Sequence, residues 1–87
     1  VNVWAGGNTL TFSGHNAFTG SINVQDASTV AITGTLNTGT ANSINLYNAG
    51  AGVTNSGTIS GARAVEGGVA GVLVNNLAGG TITGNAQ

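Results

Sequence analysis

Acid–base, nucleophilic or metal chemistry would have to come from very few side chains. The 87-residue chain holds two carboxylates, Asp26 and Glu66, one basic residue, Arg63, and one histidine, His15; it has no cysteine and no methionine. Polysaccharide cleavage, the obvious reaction for a stack of short strands, needs paired carboxylates, or a base with a cation or metal beside it. Asp26 and Glu66 are forty residues apart in sequence. Asp26 opens the turn Asp26-Ala27-Ser28, where an Asp side chain bonds its own backbone. Glu66 and Arg63 are spaced for a surface ion pair, worth about 0–1 kcal/mol. His15, between Gly14 and Asn16, reads as an exposed turn residue. No second His or Cys completes a metal site, and the calcium-binding pattern Gly-Gly-x-Gly-x-Asp is missing. Gly6-Gly7 and Gly67-Gly68 lack the Lys of a phosphate loop. A single basic residue argues against nucleic acid as a partner. The expectation is a non-enzymatic protein with no catalytic, cofactor or metal site.

Hydroxyls are the remaining patterned groups. Thr9/Thr11, Thr33/Thr35, Thr58/Ser60 and Thr81/Thr83 all read hydroxyl-x-hydroxyl. On a strand both hydroxyls leave from one face. Thr35, Thr58 and Thr81 are 23 residues apart and should align, which makes Thr35, Thr58, Ser60, Thr81 and Thr83 the candidate interaction face. Flat threonine ladders of this kind resemble those of ice-binding β-solenoids; threonine also simply suits a solvent-facing strand position. Trp4 and Tyr47 offer platforms for stacking sugar rings, or else cap the core or pack a neighbouring copy.

The elements that position these groups are set by a repeat. Gly34-Thr35-Leu36, Gly57-Thr58-Ile59 and Gly80-Thr81-Ile82 recur every 23 residues, the mark of stacked structural units. Charged residues are 3% of the chain, against a norm of about 25%. Sixteen glycines without a three-residue period exclude collagen. Runs of strong helix formers are missing, and no segment approaches the roughly 18 apolar residues of a membrane span. Val1-Asn2-Val3-Trp4 does not read as a signal peptide. A start without Met suggests a processed chain or an excised piece.

Alternation of apolar and polar residues marks strands at Thr9 to Ser13, Ser21 to Gln25, Thr29 to Thr33, Ser43 to Tyr47, within Val53 to Gly61, and at Thr81 to Thr83. Asn-Gly and Asp-Gly dipeptides, the signal of two-residue hairpins, do not occur. A coil of short parallel strands fits better, with coils about 4.8 Å apart. The expected fold is therefore all-β: a parallel β-helix (β-solenoid) of about four coils of roughly 23 residues, one segment over 1–87. Inward residues should include Val30, Ile32, Leu36, Ile44, Leu46, Val53, Ile59, Val72, Val74 and Ile82. Asn55 and Asn76 should stack and bond turn backbone. The segment Ala62 to Gly68 reads as irregular.

Asn8-Thr9-Leu10-Thr11-Phe12-Ser13-Gly14-His15-Asn16-Ala17-Phe18-Thr19-Gly20, with the strand Ser21-Ile22-Asn23-Val24, resembles the passenger-associated transport repeat of bacterial autotransporters. Phe12 stands where that family favours Leu, and Phe18 where it favours Tyr. Val53-Thr54-Asn55-Ser56-Gly57-Thr58-Ile59-Ser60-Gly61 is similar to coils of autotransporter passengers and related large adhesins. The resemblance implies a right-handed parallel β-helix exported across a Gram-negative envelope, extracellular or displayed at the cell surface. The membrane barrel of such proteins is not expected here, since strands of about ten alternating residues do not recur. The function expected is that of a structural or adhesin segment acting through self-association and surface contact. The alternative is a ligand-binding solenoid, for ice or for glycans. Its expected partners are copies of itself, stacked end to end or at their edges, and a host or neighbouring cell surface; no membrane insertion is expected of this segment.

Overall fold

The structure, a computed structural model, describes residues 1–84. They form twelve short strands and no helix. The first coil holds β1 (Asn2–Val3), β2 (Thr9–Phe12) and β3 (His15–Ala17). The second holds β4 (Ile22–Val24), β5 (Thr29–Ile32) and β6 (Thr35–Asn37). The third holds β7 (Ile44–Leu46), β8 (Gly52–Asn55) and β9 (Thr58–Gly61), and the fourth β10 (Val65–Gly67), β11 (Leu73–Asn76) and β12 (Thr81–Gly84). Each strand pairs in parallel with its equivalent in the next coil, giving three sheets: β1-β4-β7-β10, β2-β5-β8-β11 and β3-β6-β9-β12. The chain is a β-solenoid of four coils.

The 23-residue spacing holds for only some steps of the stack: Thr35 pairs with Thr58, Thr58 with Thr81 and, on the second sheet, Thr29 with Gly52. Elsewhere the step is shorter: Asn2 pairs with Asn23 and Thr9 with Thr29, so the mean repeat is about 21 residues. The connections absorb the difference. That between the second and third sheets is a two-residue corner in the first three coils, Ser13-Gly14, Thr33-Gly34 and Ser56-Gly57. The connection from the third sheet back to the first varies, and is longest at 38–43.

The corner explains the spaced glycines. Gly57 lies directly over Gly34, and Gly34 over Gly14. A side-chain carbon on Gly57 would overlap the carbonyl of Gly34, and one on Gly34 would overlap the backbone of Gly14. Only glycine lets successive corners approach to strand spacing.

Inside, equivalent residues stack in rows. Val30, Ile32, Leu36, Ile44, Leu46, Val53 and Ile59 are buried as expected, together with Ile22 and Val24. Burial of side chains this size stabilises by about 1.5–3 kcal/mol each. Val72 and Ile82 pack partly against this core. Val74 shares the row of Val53 but is 41% exposed, because no described coil covers the fourth. Trp4 and Tyr47 do not cap the core: they are 69% and 48% exposed. At the first coil Phe12 and Phe18 do so instead, meeting edge to face with centroids 5.9 Å apart.

Two stretches depart from expectation. His15 lies in β3, not in a turn, and Ala62 to Gly68 contains β10. In β3 the inward position is taken by Asn16, whose amide donates to the carbonyls of Ser13 (3.0 Å) and Thr35 (3.3 Å). A polar inward residue removes the alternation by which a strand is recognised.

Candidate functional site

The third sheet brings all five candidate hydroxyl residues onto one outward face. Thr35, Thr58 and Thr81 are register partners, as are Ser60 and Thr83; Leu36, Ile59 and Ile82 between them point inward. Adjacent rungs are about 4.8 Å apart. Thr35, Thr58 and Ser60 are half-buried, while Thr81 and Thr83 are exposed. Their hydroxyls make no hydrogen bond within the described residues, so they face solvent uncommitted. The two columns continue differently in the earlier coils. The first reads His15, Thr35, Thr58, Thr81; the second reads Ala17, Asn37, Ser60, Thr83. A complete hydroxyl pair therefore occurs only in the third and fourth coils. Thr33 does not join Thr35 on a strand: it sits in the corner, its hydroxyl 3.4 Å from the Phe12 carbonyl. Thr9 and Thr11 lie on the second sheet, over Thr29 and Ala31.

The titratable groups occupy three separate places. Asp26 accepts the Ala27 N–H on Oδ1 at 2.8 Å, as a turn-forming Asp does. Arg63 donates to Glu66 Oε2 at 3.0 Å, with both side chains substantially exposed. His15 opens β3 on the outward face of the third sheet.

A second polar array lies on the first sheet and was not anticipated. Asn2, Asn23 and Asn45 are register partners, with Glu66 next in the column. Asn23 donates to Asn2 Oδ1 at 3.1 Å, and Asn45 donates to Asn23 Oδ1 at 3.0 Å. Asn42, from the long connection 38–43, folds onto the ladder and donates to Asn45 Oδ1 (3.2 Å) and Glu66 Oε2 (2.8 Å). The signal was present as apolar-Asn-apolar in Val1-Asn2-Val3, Ile22-Asn23-Val24 and Ile44-Asn45-Leu46. A further amide pair joins the third coil to the fourth. Asn55, fully buried, donates to Asn76 Oδ1 (3.0 Å) and to the carbonyls of Gly57 and Thr81, as expected of stacked asparagines.

The two ends of the stack are the remaining feature. At the fourth coil the core opens into a groove of about 640 Å³, lined by Ala62, Ala64, Val65, Val74 and Ile82 among others. The backbone there is half used. Leu73 and Leu77 donate their N–H groups to Ala51 and Asn55 of the third coil. Parallel pairing turns alternate residues to opposite sides, so the amides of Val74 and Asn76 point away, to the open edge. No family model matches the chain, and neither a curated protein nor a solved structure matches it.

Proposed function

We propose that this chain is a non-enzymatic structural segment of an extracellular or cell-surface fibre or adhesin, of the autotransporter-passenger type, and that it works by continuing its own stack. The observation that carries this reading is the fourth-coil end. Three parallel strands present unpaired edges around an uncovered apolar groove, and no polar capping unit covers them among the described residues. Such an end accepts a further coil, from the chain's own continuation or from a second copy. With a net charge of −1, little repulsion opposes contact between copies.

Val74→Pro tests the edge. Proline there removes an N–H that faces the open side and leaves the bonds of β11 to β8 in place. The variant is expected to keep its β-sheet circular dichroism and to lose association in sizing experiments. Association equal to that of the parent chain would refute the stacking edge.

The aligned Thr35, Thr58 and Thr81 support a second reading, ice binding by the outward face of the third sheet. Thermal hysteresis that disappears in Thr58→Tyr would favour it over the structural reading.

A further inference from the structure

The first sheet carries a second outward column beside the asparagine ladder. Its pairing runs past the strand ends: Gln25 donates its backbone N–H to Val3 at 2.8 Å, Tyr47 to Val24 at 2.9 Å, and Gly68 to Leu46 at 2.9 Å. Trp4, Gln25, Tyr47 and Gly68 therefore occupy equivalent places in successive coils. Each lies two residues after the outward Asn2, Asn23, Asn45 or Glu66, and so on the same side of the sheet.

We propose that the Trp4–Gln25–Tyr47 column binds a neutral, extended glycan. Four observations converge on it. Trp4 and Tyr47 are the two aromatic residues left exposed, while Phe12 and Phe18 are partly buried against the core. They stand two rungs apart, about 10 Å, a span comparable with two linked pyranose rings. Gly68 follows Tyr47 in the column, and even an added Cβ there would lie 3.5 Å from Tyr47 Cδ1; having no side chain, Gly68 leaves that side of the ring uncovered. Between the rings, the Gln25 amide makes no hydrogen bond within the described residues, and the polar tips of Trp4 and Tyr47 make none either.

The chemistry matches a sugar. Aromatic faces take the C–H faces of pyranose rings, while the Gln25 amide, the indole N–H and the phenol supply donors and acceptors for hydroxyls. The adjacent asparagines satisfy one another, so the ladder serves as a rigid wall rather than a competing ligand. Glu66, in the neighbouring column, is paired with Arg63, and Asp26, the residue after Gln25, is engaged with the Ala27 N–H, which favours an uncharged ligand over an anionic one. Exposed Trp and Tyr are also frequent anchors of protein contacts. The amide-rich surroundings favour the glycan, and the experiment separates the two.

Trp4 is the only tryptophan, so its fluorescence reports on the site directly. Titration with cellohexaose and with chitohexaose should give a saturable change in that emission for at least one of them. Calorimetry should show the same binding weakened by about tenfold or more in both Tyr47→Ala and Trp4→Ala. Both side chains are exposed, and circular dichroism is expected to stay unchanged. Flat titrations with both sugars and no hit on an array of neutral glycans would overturn the proposal. So would binding that survives both substitutions. A fall in assembly mass in Trp4→Ala would also overturn it, by showing the column to be a contact between copies. Val74→Pro should leave sugar binding intact, so failure of the stacking edge and failure of this site are distinguishable.

Discussion

Asn45 donates its side-chain amide to Oδ1 of Asn23, one coil away, across 3.0 Å, and is almost fully buried although it sits on an outward position. The covering group is Asn42, which bonds both Asn45 and Glu66. The ladder thus ties the third and fourth coils to the second through side chains as well as backbone. Asn45→Ala should cost about 1 kcal/mol, since its partners Asn23 and Asn42 can turn to water. Asn55→Ala should cost more, about 2–3 kcal/mol, because the Asn55 side chain is fully buried, bonds both the N–H and the carbonyl of Gly57, and leaves a cavity when truncated. Urea denaturation of the two variants gives the order; equal losses would mean that burial does not distinguish the two amides.

Gly57→Ala should destabilise by about 2–3 kcal/mol or prevent folding, because the methyl group meets the Gly34 carbonyl and neither backbone can yield without separating the coils. Gly20→Ala is the matched control. Nothing lies near the position its Cβ would take, and the change should stay within about 0.5 kcal/mol. Thermal melts of the pair check the difference, and similar melting temperatures would contradict the corner geometry.

Ile59→Asp places a carboxylate in the buried row between Leu36 and Ile82, where no cation is at hand. The cost is several kcal/mol at least. Thr58→Ser, one residue away on the outward face, should change stability by no more than about 0.5 kcal/mol. Calorimetric unfolding of both variants is the check, and equal shifts would show that the two faces of β9 are exchanged.

The solenoid was legible because its strictest constraint is local. Stacked corners require glycine, and Gly34, Gly57 and Gly80 are followed each time by an outward threonine and an inward aliphatic residue. The same regularity overstated the period, since connections such as 38–43 vary in length without disturbing the sheets. Strand β3 was hidden because Asn16 fills an inward place and bonds backbone there. Strand β10 was hidden because its last residue is Gly67, a poor strand former. The threonine face could be assembled from spacing alone. The asparagine ladder and the Trp4–Gln25–Tyr47 column could not, because their steps of 21 and 22 residues emerge only from the pairing of β1, β4 and β7.

The stacking claim is tested most directly by multi-angle light scattering of the 87-residue chain over roughly a hundredfold range of dilution, where mass action shifts any association. The open edges of β10, β11 and β12 predict a mass that rises with concentration beyond that of one chain, and a melting temperature that rises with it. A single monomer mass at every concentration, with cooperative unfolding at a fixed temperature, would contradict it.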